Sequence, residues 1–295
     1  MSFGNNSINY NFGADVALNN LNTTASNLSK TENYISTGKL VNSATDNPAL
    51  WATAARTSSD ANNLDAVVQS LQRNLSVNST ALAAGQQIVD LLNQMKTVLT
   101  TATDQSTSSA ARANLNTDFK TLVTEVNNVA SQASFNGANL IKTNATGISG
   151  LGSVIGSTVT NLTLQAQSLA IYKGAPPSTA AITFTSGSTF SSVTGTVSTS
   201  GNIQAGVLLT AVNNSIANVT AAVGVLGNND QVFNSQLSFV QSLQQSLSGG
   251  VSNMVDADMA KESAQLQALQ AKQQLGVQAL SIANSSKSTL LSLFR

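Results

Sequence analysis

Apolar residues recur at alternating spacings of three and four through both ends of this 295-residue chain, while its middle lacks the pattern. In the first segment Leu18, Leu21, Ala25, Leu28 and Ile35 fall on one stripe, interrupted only by Glu32. That spacing is the seam of a coiled coil. Near the other end Ala264, Ala268, Ala271, Leu275 and Ile282 share one face of a predicted final helix, and Leu266, Leu269, Val277 and Leu280 lie on another. Apolar residues on two faces mean that a helix meets more than one partner. A chain whose seams sit at both extremities is built to pair its own ends and then to pair with copies of itself.

The segments between follow the same logic. Gly38 breaks the first helix, and residues 39–46 read as a loop. Asp46 or Asn47 is suited to cap the next helix, with Pro48 at its first position, where the missing N–H costs nothing. Leu64, Val68, Leu71, Leu75, Leu82, Val89, Leu92 and Leu99 carry the seam onward. A helix from Pro48 to about Thr100 spans roughly 80 Å at about 1.5 Å per residue. A polar connection follows at residues 101–109. The third helix bears Leu115, Phe119, Leu122, Val126 and Val129 and ends near Ala133. Helix returns near Gln204 with Leu209, Val212, Ile216, Val219, Val223 and Leu226, and resumes at Phe233, Leu237, Val240 and Leu247. Gly249 and Gly250 are expected to loosen it, and the final helix is expected from about Asp256.

The middle differs in kind. Between Lys142 and Asp230 the only charged residue is Lys173, and Ser and Thr dominate. Residues 182–185 and 192–197 read as short β segments, with a disordered Ser/Thr linker as the alternative. Gly147, Gly150 and Gly152 make a Gly-rich stretch, but no strand-then-helix context supports a phosphate loop. The Ser/Thr-rich stretch is a candidate for O-glycosylation, which an intact mass would test.

Composition narrows the function. There is no cysteine and no histidine, so thiol chemistry and the commonest general base and metal ligand are absent. Charged residues make up 9% and balance at 13 against 13, so no strong field attracts nucleic acid or an anionic membrane. No cleavable signal peptide is legible at the N-terminus, and no stretch reads as a membrane span. Asp256, Asp258 and Glu262 cluster near a helix start, which suits the helix dipole better than a cation site. Trp51, the single tryptophan, is expected to pack against neighbouring helices. No cofactor, metal site or catalytic constellation is expected, and an assembly subunit is favoured over an enzyme.

Several stretches carry a resemblance. Val255-Asp256-Ala257-Asp258-Met259-Ala260-Lys261-Glu262-Ser263, Gln273-Gln274-Leu275-Gly276, Ala279-Leu280-Ser281-Ile282-Ala283-Asn284 and Leu293-Phe294-Arg295 resemble the C-terminal signature of bacterial flagellin. Residues 36–49, from Ser36 through Asp46-Asn47-Pro48 to Ala49, are similar to that family's turn between its first two helices. Residues 134–141, Ser134-Phe135-Asn136-Gly137 onward, resemble the segment after its third helix. The match covers about residues 1–142 and 205–295.

The resemblance implies a mainly α fold. Long antiparallel helices from both termini form a coiled-coil bundle, with a small β-rich region in the centre. It implies an inner-tube part at 1–45 with 256–295, a long-helix core at 46–142 with 205–255, and a short variable region at 143–204. The expected role is that of a structural subunit of the flagellar filament, polymerising with itself outside the cell after type III export, with an export chaperone and a filament cap as further partners. Leu18, Leu21, Leu28 and Ile35 are expected to pack with Leu266, Leu269, Leu275 and Leu280. Some flagellins carry a zinc protease motif in the central insert, which a chain without histidine lacks. In many flagellins a Leu-Gln-Arg-Val-Arg-Glu-Leu run faces an innate immune receptor. The matching stretch here departs from it, with Gln94 for the first arginine and Thr97 for the glutamate, so Leu92, Gln94, Lys96 and Thr97 are the receptor-facing positions and recognition is expected to be weak. A hook–filament junction protein and a secreted adhesive or host-binding module are the competing readings.

Overall fold

The computed structural model describes residues 10–142, 144–156, 158–169, 171–173, 181–184, 192–194 and 202–292. The order of elements is α1 (Phe12–Thr37), α2 (Pro48–Thr103), α3 (Ser109–Gln132), β1 (Ile148–Ile155), β2 (Thr158–Leu164), β3 (Ile171–Lys173), β4 (Ala181–Phe184), β5 (Ser192–Thr194), α4 (Asn202–Val255) and α5 (Met259–Ser292). They form two compact units, one of residues 1–59 with 246–295 and one of residues 60–245.

The helix boundaries follow local chemistry. Gly38 ends α1 in the left-handed conformation, with φ at 69°. The Asn47 side chain accepts from the Leu50 N–H at 3.1 Å and caps α2 directly before Pro48. The Ser108 hydroxyl caps α3 by accepting from the Ala111 N–H at 3.2 Å. Asp258 caps α5, accepting from the Ala260 and Lys261 N–H groups at 3.0 and 3.2 Å. Gly249 and Gly250 do not interrupt α4, which continues to Val255.

In the second unit, α2 and α4 run antiparallel. Gln244 donates to the Asp65 carboxylate at 2.6 Å, and further along Asn78 donates to the Leu226 carbonyl at 2.9 Å. The buried stripe on α2 includes Leu64, Val67, Leu71, Asn74, Asn78, Ala81, Ile88, Leu92, Met95 and Leu99. On α4 it includes Val212, Ser215, Val219, Leu226, Phe233 and Val240. The expected stripe therefore holds at Leu64, Leu71, Leu92 and Leu99 but is displaced elsewhere. Val68, Leu75, Leu82 and Val89 are only half-buried, because smaller or polar neighbours occupy the line of closest approach. By length and composition the part of α4 over Leu208–Val255 would suffice to cross a membrane, contrary to the sequence expectation. Val212, Val219, Leu226, Phe233 and Val240 on it are nevertheless buried, while Val225, Val232 and Phe239 are exposed.

α3 joins through Phe119, Val126 and Ala130. Beyond it Phe135 and Ala138 exchange backbone hydrogen bonds at 2.9 and 3.0 Å around Asn136 and Gly137, both at positive φ. Buried Asn139 ties this turn down. It donates to the Ala130 carbonyl at 2.8 Å and accepts from the Ile141 and Lys142 N–H groups at 2.9 Å.

The central β elements exceed the expectation. β4 and β5 fall where strands were predicted and pair antiparallel, with β3 on the other side of β4. The β1–β2 hairpin was not foreseen. Its strands pair antiparallel from Ile148 opposite Leu164 to Ile155 opposite Thr158, with a register shift between Leu151 and Ser153. Helix side chains hold it by its backbone. Ser70 accepts from the Leu151 N–H at 3.0 Å, Asp60 accepts from the Gly156 N–H at 3.1 Å, and Gln236 donates to the Gly152 carbonyl at 2.8 Å. Close approach is what Gly150 permits, since a Cβ there would collide with the Asn74 side chain and meet the Ser70 hydroxyl at 3.1 Å. Gly150→Ala is expected to destabilise this unit by about 1–3 kcal/mol, the usual cost of overpacking. Urea unfolding followed by circular dichroism would measure it, and an unchanged midpoint would show that the hairpin can lift off freely.

Candidate self-assembly surface

In the first unit, α1 and α5 lie antiparallel, clasped at both ends. Asn11 caps α1 by accepting from the Ala14 N–H at 3.1 Å, and the same side chain donates to the Ala283 carbonyl at 2.9 Å. At the other end Lys39 and Asp256 form a β-bridge, and the Ala257 N–H donates to the Gly38 carbonyl at 2.9 Å.

The seam between them is built from alternating large and small residues. On α1 the inward positions are Ala14, Ala17, Leu21, Thr24, Leu28, Thr31 and Ile35. On α5 they are Glu262, Leu266, Leu269, Gln273, Gly276, Leu280 and Ala283. Leu269 is buried, and Leu21, Leu28, Ile35, Leu266 and Leu280 are half-buried. Gly276 leaves room for Leu21, whose Cδ1 lies 3.2 Å from where a Cβ would stand. Six of the eight leucines and isoleucines expected in this pairing are therefore brought into it.

Leu18 and Leu275 are the exceptions, and the expectation that they pack between the two helices is corrected. Leu18 is 45% exposed and Leu275 is 63% exposed. In each helix the inward line runs one residue away, through Ala17 and Gly276, because small residues let the backbones approach. The polar interruption is likewise not Glu32, which is exposed, but Thr31, which is buried. Leu18 and Leu275 instead belong to an outward apolar set with Phe12, Val16, Val277 and Ile282. Eleven of the sixteen large apolar side chains exposed among the described residues lie in this unit, the smaller of the two. Such a surplus makes this unit the candidate binding surface.

The acidic residues near the start of α5 do not converge. Asp258 is the helix cap, Asp256 pairs through its backbone, and Glu262 is buried in the first helical turn, where the helix dipole favours its charge. Among the described residues no group of three or more acidic side chains could hold a metal ion. In the α1–α2 loop, the Asp46 carboxylate accepts from the Ser43 hydroxyl and N–H, both at 2.9 Å, and from the Asn42 N–H at 3.1 Å. These bonds, led by the Ser43 hydroxyl, hold the Asp46 carboxyl below its ordinary range.

Of the four positions expected to face a receptor, Gln94, Lys96 and Thr97 are exposed on α2. Leu92 is fully buried in the core of the second unit and is removed from that set, since its heptad position points it inward. Trp51 is 42% exposed and does not pack fully against neighbouring helices as expected.

The comparisons agree with this geometry. The bacterial flagellin N-terminal helical region matches residues 8–146, and the bacterial flagellin C-terminal helical region matches residues 209–294. Flagellin FljO of Caulobacter vibrioides is 45% identical over 292 residues, covering 98% of this chain and 99% of that one. Flagellin FljM of the same organism is 44% identical over 292 residues, with the same coverage. A flagellin of Brucella melitensis biotype 1 is 35% identical over 293 residues, covering 98% of this chain and 99% of its own.

Proposed function

The chain belongs to the bacterial flagellin family and is a structural subunit of the flagellar filament, and from that premise we propose how its helices build the polymer. The paired terminal segments, 1–45 with 256–295, form the inner tube. Residues 46–142 with 205–255 form the layer around it, and residues 143–204 form a small outer region. Leu21, Leu28, Ile35, Leu266, Leu269 and Leu280 hold the terminal pair together within a subunit. Leu18 and Leu275 join neighbouring copies. The observation that carries this reading is the outward apolar set on α1 and α5, which the subunit itself leaves uncovered. A full burial of each such side chain contributes about 1.5–3 kcal/mol, so a few per subunit suffice to drive assembly.

Head-to-tail contacts that do not close on themselves give a helical filament. The family's structural role leaves no reason to seek a reaction, and no catalytic role is assigned to any residue. The polymer is extracellular, and the subunit reaches it by flagellar export with a chaperone and a filament cap as further partners. The junction-protein and adhesive readings are not favoured, since the closely similar relatives match along almost the whole chain and are flagellins. Negative-stain microscopy with sheared seeds and a precipitant tests the assignment. Long uniform tubes that vanish when either terminal helix is trimmed are the expected result, and persistent monomers under conditions that polymerise a control flagellin would refute it.

Recognition by the flagellin-sensing Toll-like receptor is proposed to be weak. Gln94 cannot make the planar two-pronged contacts of an arginine, and Thr97 brings no charge. A reporter response well below that of an arginine-bearing flagellin is expected from cells carrying that receptor. Restoring both side chains by Gln94→Arg with Thr97→Glu should raise it, and equal responses from all three would remove these positions from recognition.

A further inference from the structure

Asn136-Gly137 is the only Asn-Gly pair in the chain. An asparagine followed by glycine is the pairing most open to spontaneous loss of its side-chain amide, because no Cβ shields the backbone nitrogen that attacks. The turn after α3 holds this pair in the open. Both residues are exposed, and a Cβ built on Gly137 would meet nothing within 4 Å.

The backbone leaves the attacking nitrogen unengaged. Asn136 has φ at 50° and Gly137 at 80°, the type I′ pattern. The two hydrogen bonds that close the turn run between Phe135 and Ala138, and neither uses the Gly137 N–H. Glycine takes either sign of φ, so the peptide between the two residues can turn over to the type II′ form with the Phe135–Ala138 pair kept. That motion swings the Gly137 nitrogen toward the Asn136 side chain. Nearby asparagines lack this freedom. Asn139 is buried, with both the oxygen and the nitrogen of its amide engaged. Asn144 also has positive φ, at 55°, but Ala145 follows it, and the Ala145 N–H donates to the Lys142 carbonyl at 3.1 Å.

We propose that Asn136 is a site of spontaneous modification, losing its amide to become aspartate and isoaspartate as the chain ages. The Gly137 nitrogen gives its proton to hydroxide and bonds to Asn136 Cγ, and the side-chain amide leaves as ammonia, taking a proton from water. The succinimide so formed adds one water. Opening at the Cγ–N bond gives aspartate, and opening at the main-chain carbonyl gives isoaspartate. No co-reactant but water is required. Either product adds a negative charge to a chain whose 13 basic and 13 acidic residues balance. Aspartate keeps the turn, since it tolerates positive φ. Isoaspartate lengthens the main chain by one carbon between Phe135 and Ala138 and breaks their pairing.

Incubation of the folded full-length chain at mildly alkaline pH, followed by peptide mapping and isoaspartate detection, tests this. Asn136 should convert roughly tenfold or more faster than any other described asparagine. The rate should climb with pH, since the attacking nitrogen must be deprotonated. Asn136→Gln, whose longer side chain must close a larger ring, should lose the isoaspartate signal with helicity unchanged. Conversion spread evenly over the asparagines would overturn the inference. An Asn136 that stays intact in the folded chain would also overturn it, and conversion of the same sample in urea would then assign the protection to the turn.

Discussion

Leu275→Asp is expected to leave the free subunit folded and to stop it polymerising. The side chain is 63% exposed in the isolated chain, so a carboxylate there remains hydrated. Exposed substitutions of this kind usually change stability by no more than about 0.5 kcal/mol. In the filament the same position is proposed to be covered by a neighbour, and an unpaired charge placed there costs several kcal/mol. A cost of about 4 kcal/mol corresponds to roughly a thousandfold rise in critical concentration. Circular dichroism of the monomer and sedimentation of seeded assemblies would separate the two effects. Ordinary filaments from Leu275→Asp at the usual concentration would place the outward face of α5 outside every subunit contact. Leu269→Asp supplies the contrast: that side chain is buried between α1 and α5, so its substitution should disturb the monomer as well.

Phe119→Ala should weaken the second unit by about 3–5 kcal/mol, the range for emptying a buried aromatic site. Phe119 is among the largest fully buried side chains and is the main anchor of α3, which otherwise contributes only Val126 and Ala130 to the core. Set against a total stability of about 5–15 kcal/mol, such a loss approaches global unfolding at physiological temperature. The urea midpoint should fall steeply, with α3 amides losing protection from hydrogen exchange first. A change below about 1 kcal/mol would show that the neighbouring helices close over the cavity.

The long helices were legible because their caps and apolar period are local properties. Asn47 with Pro48, and Gly38, act within a few residues of themselves. The line of closest approach was less legible. Reading by the largest apolar residues chose Leu18, Leu75 and Ile216, whereas the helices meet along Ala17, Asn74, Asn78 and Ser215. The sequence carries more large apolar residues than one seam uses, and a single chain does not say which stripe serves itself and which serves a neighbour. Leu18 and Leu275 were misplaced for that reason, and Leu92, read both as a seam residue and as receptor-facing, serves only the seam. The β1–β2 hairpin was missed because its hold is entirely tertiary. Ser70, Asp60 and Gln236 grip its backbone from helices 80 or more residues away, and nothing in its Gly- and Ser-rich sequence announces them. The turn at Asn136 and Gly137 was noticed only by resemblance, although Asn-Gly is a strong local signal for a tight turn.

The clasp between Asn11 and Ala283 joins residues 272 positions apart. Closing so long a segment carries an entropic cost that local helix formation does not. It also imposes an order in time. As a ribosome delivers the chain, α1 emerges before the other described elements and waits without its partner until α5, which follows them, has been made. The second unit, which needs only residues 60–245, can consolidate before then. The part of the molecule that joins it to others is therefore completed last, and a chain stopped midway carries half of a joint rather than a working one.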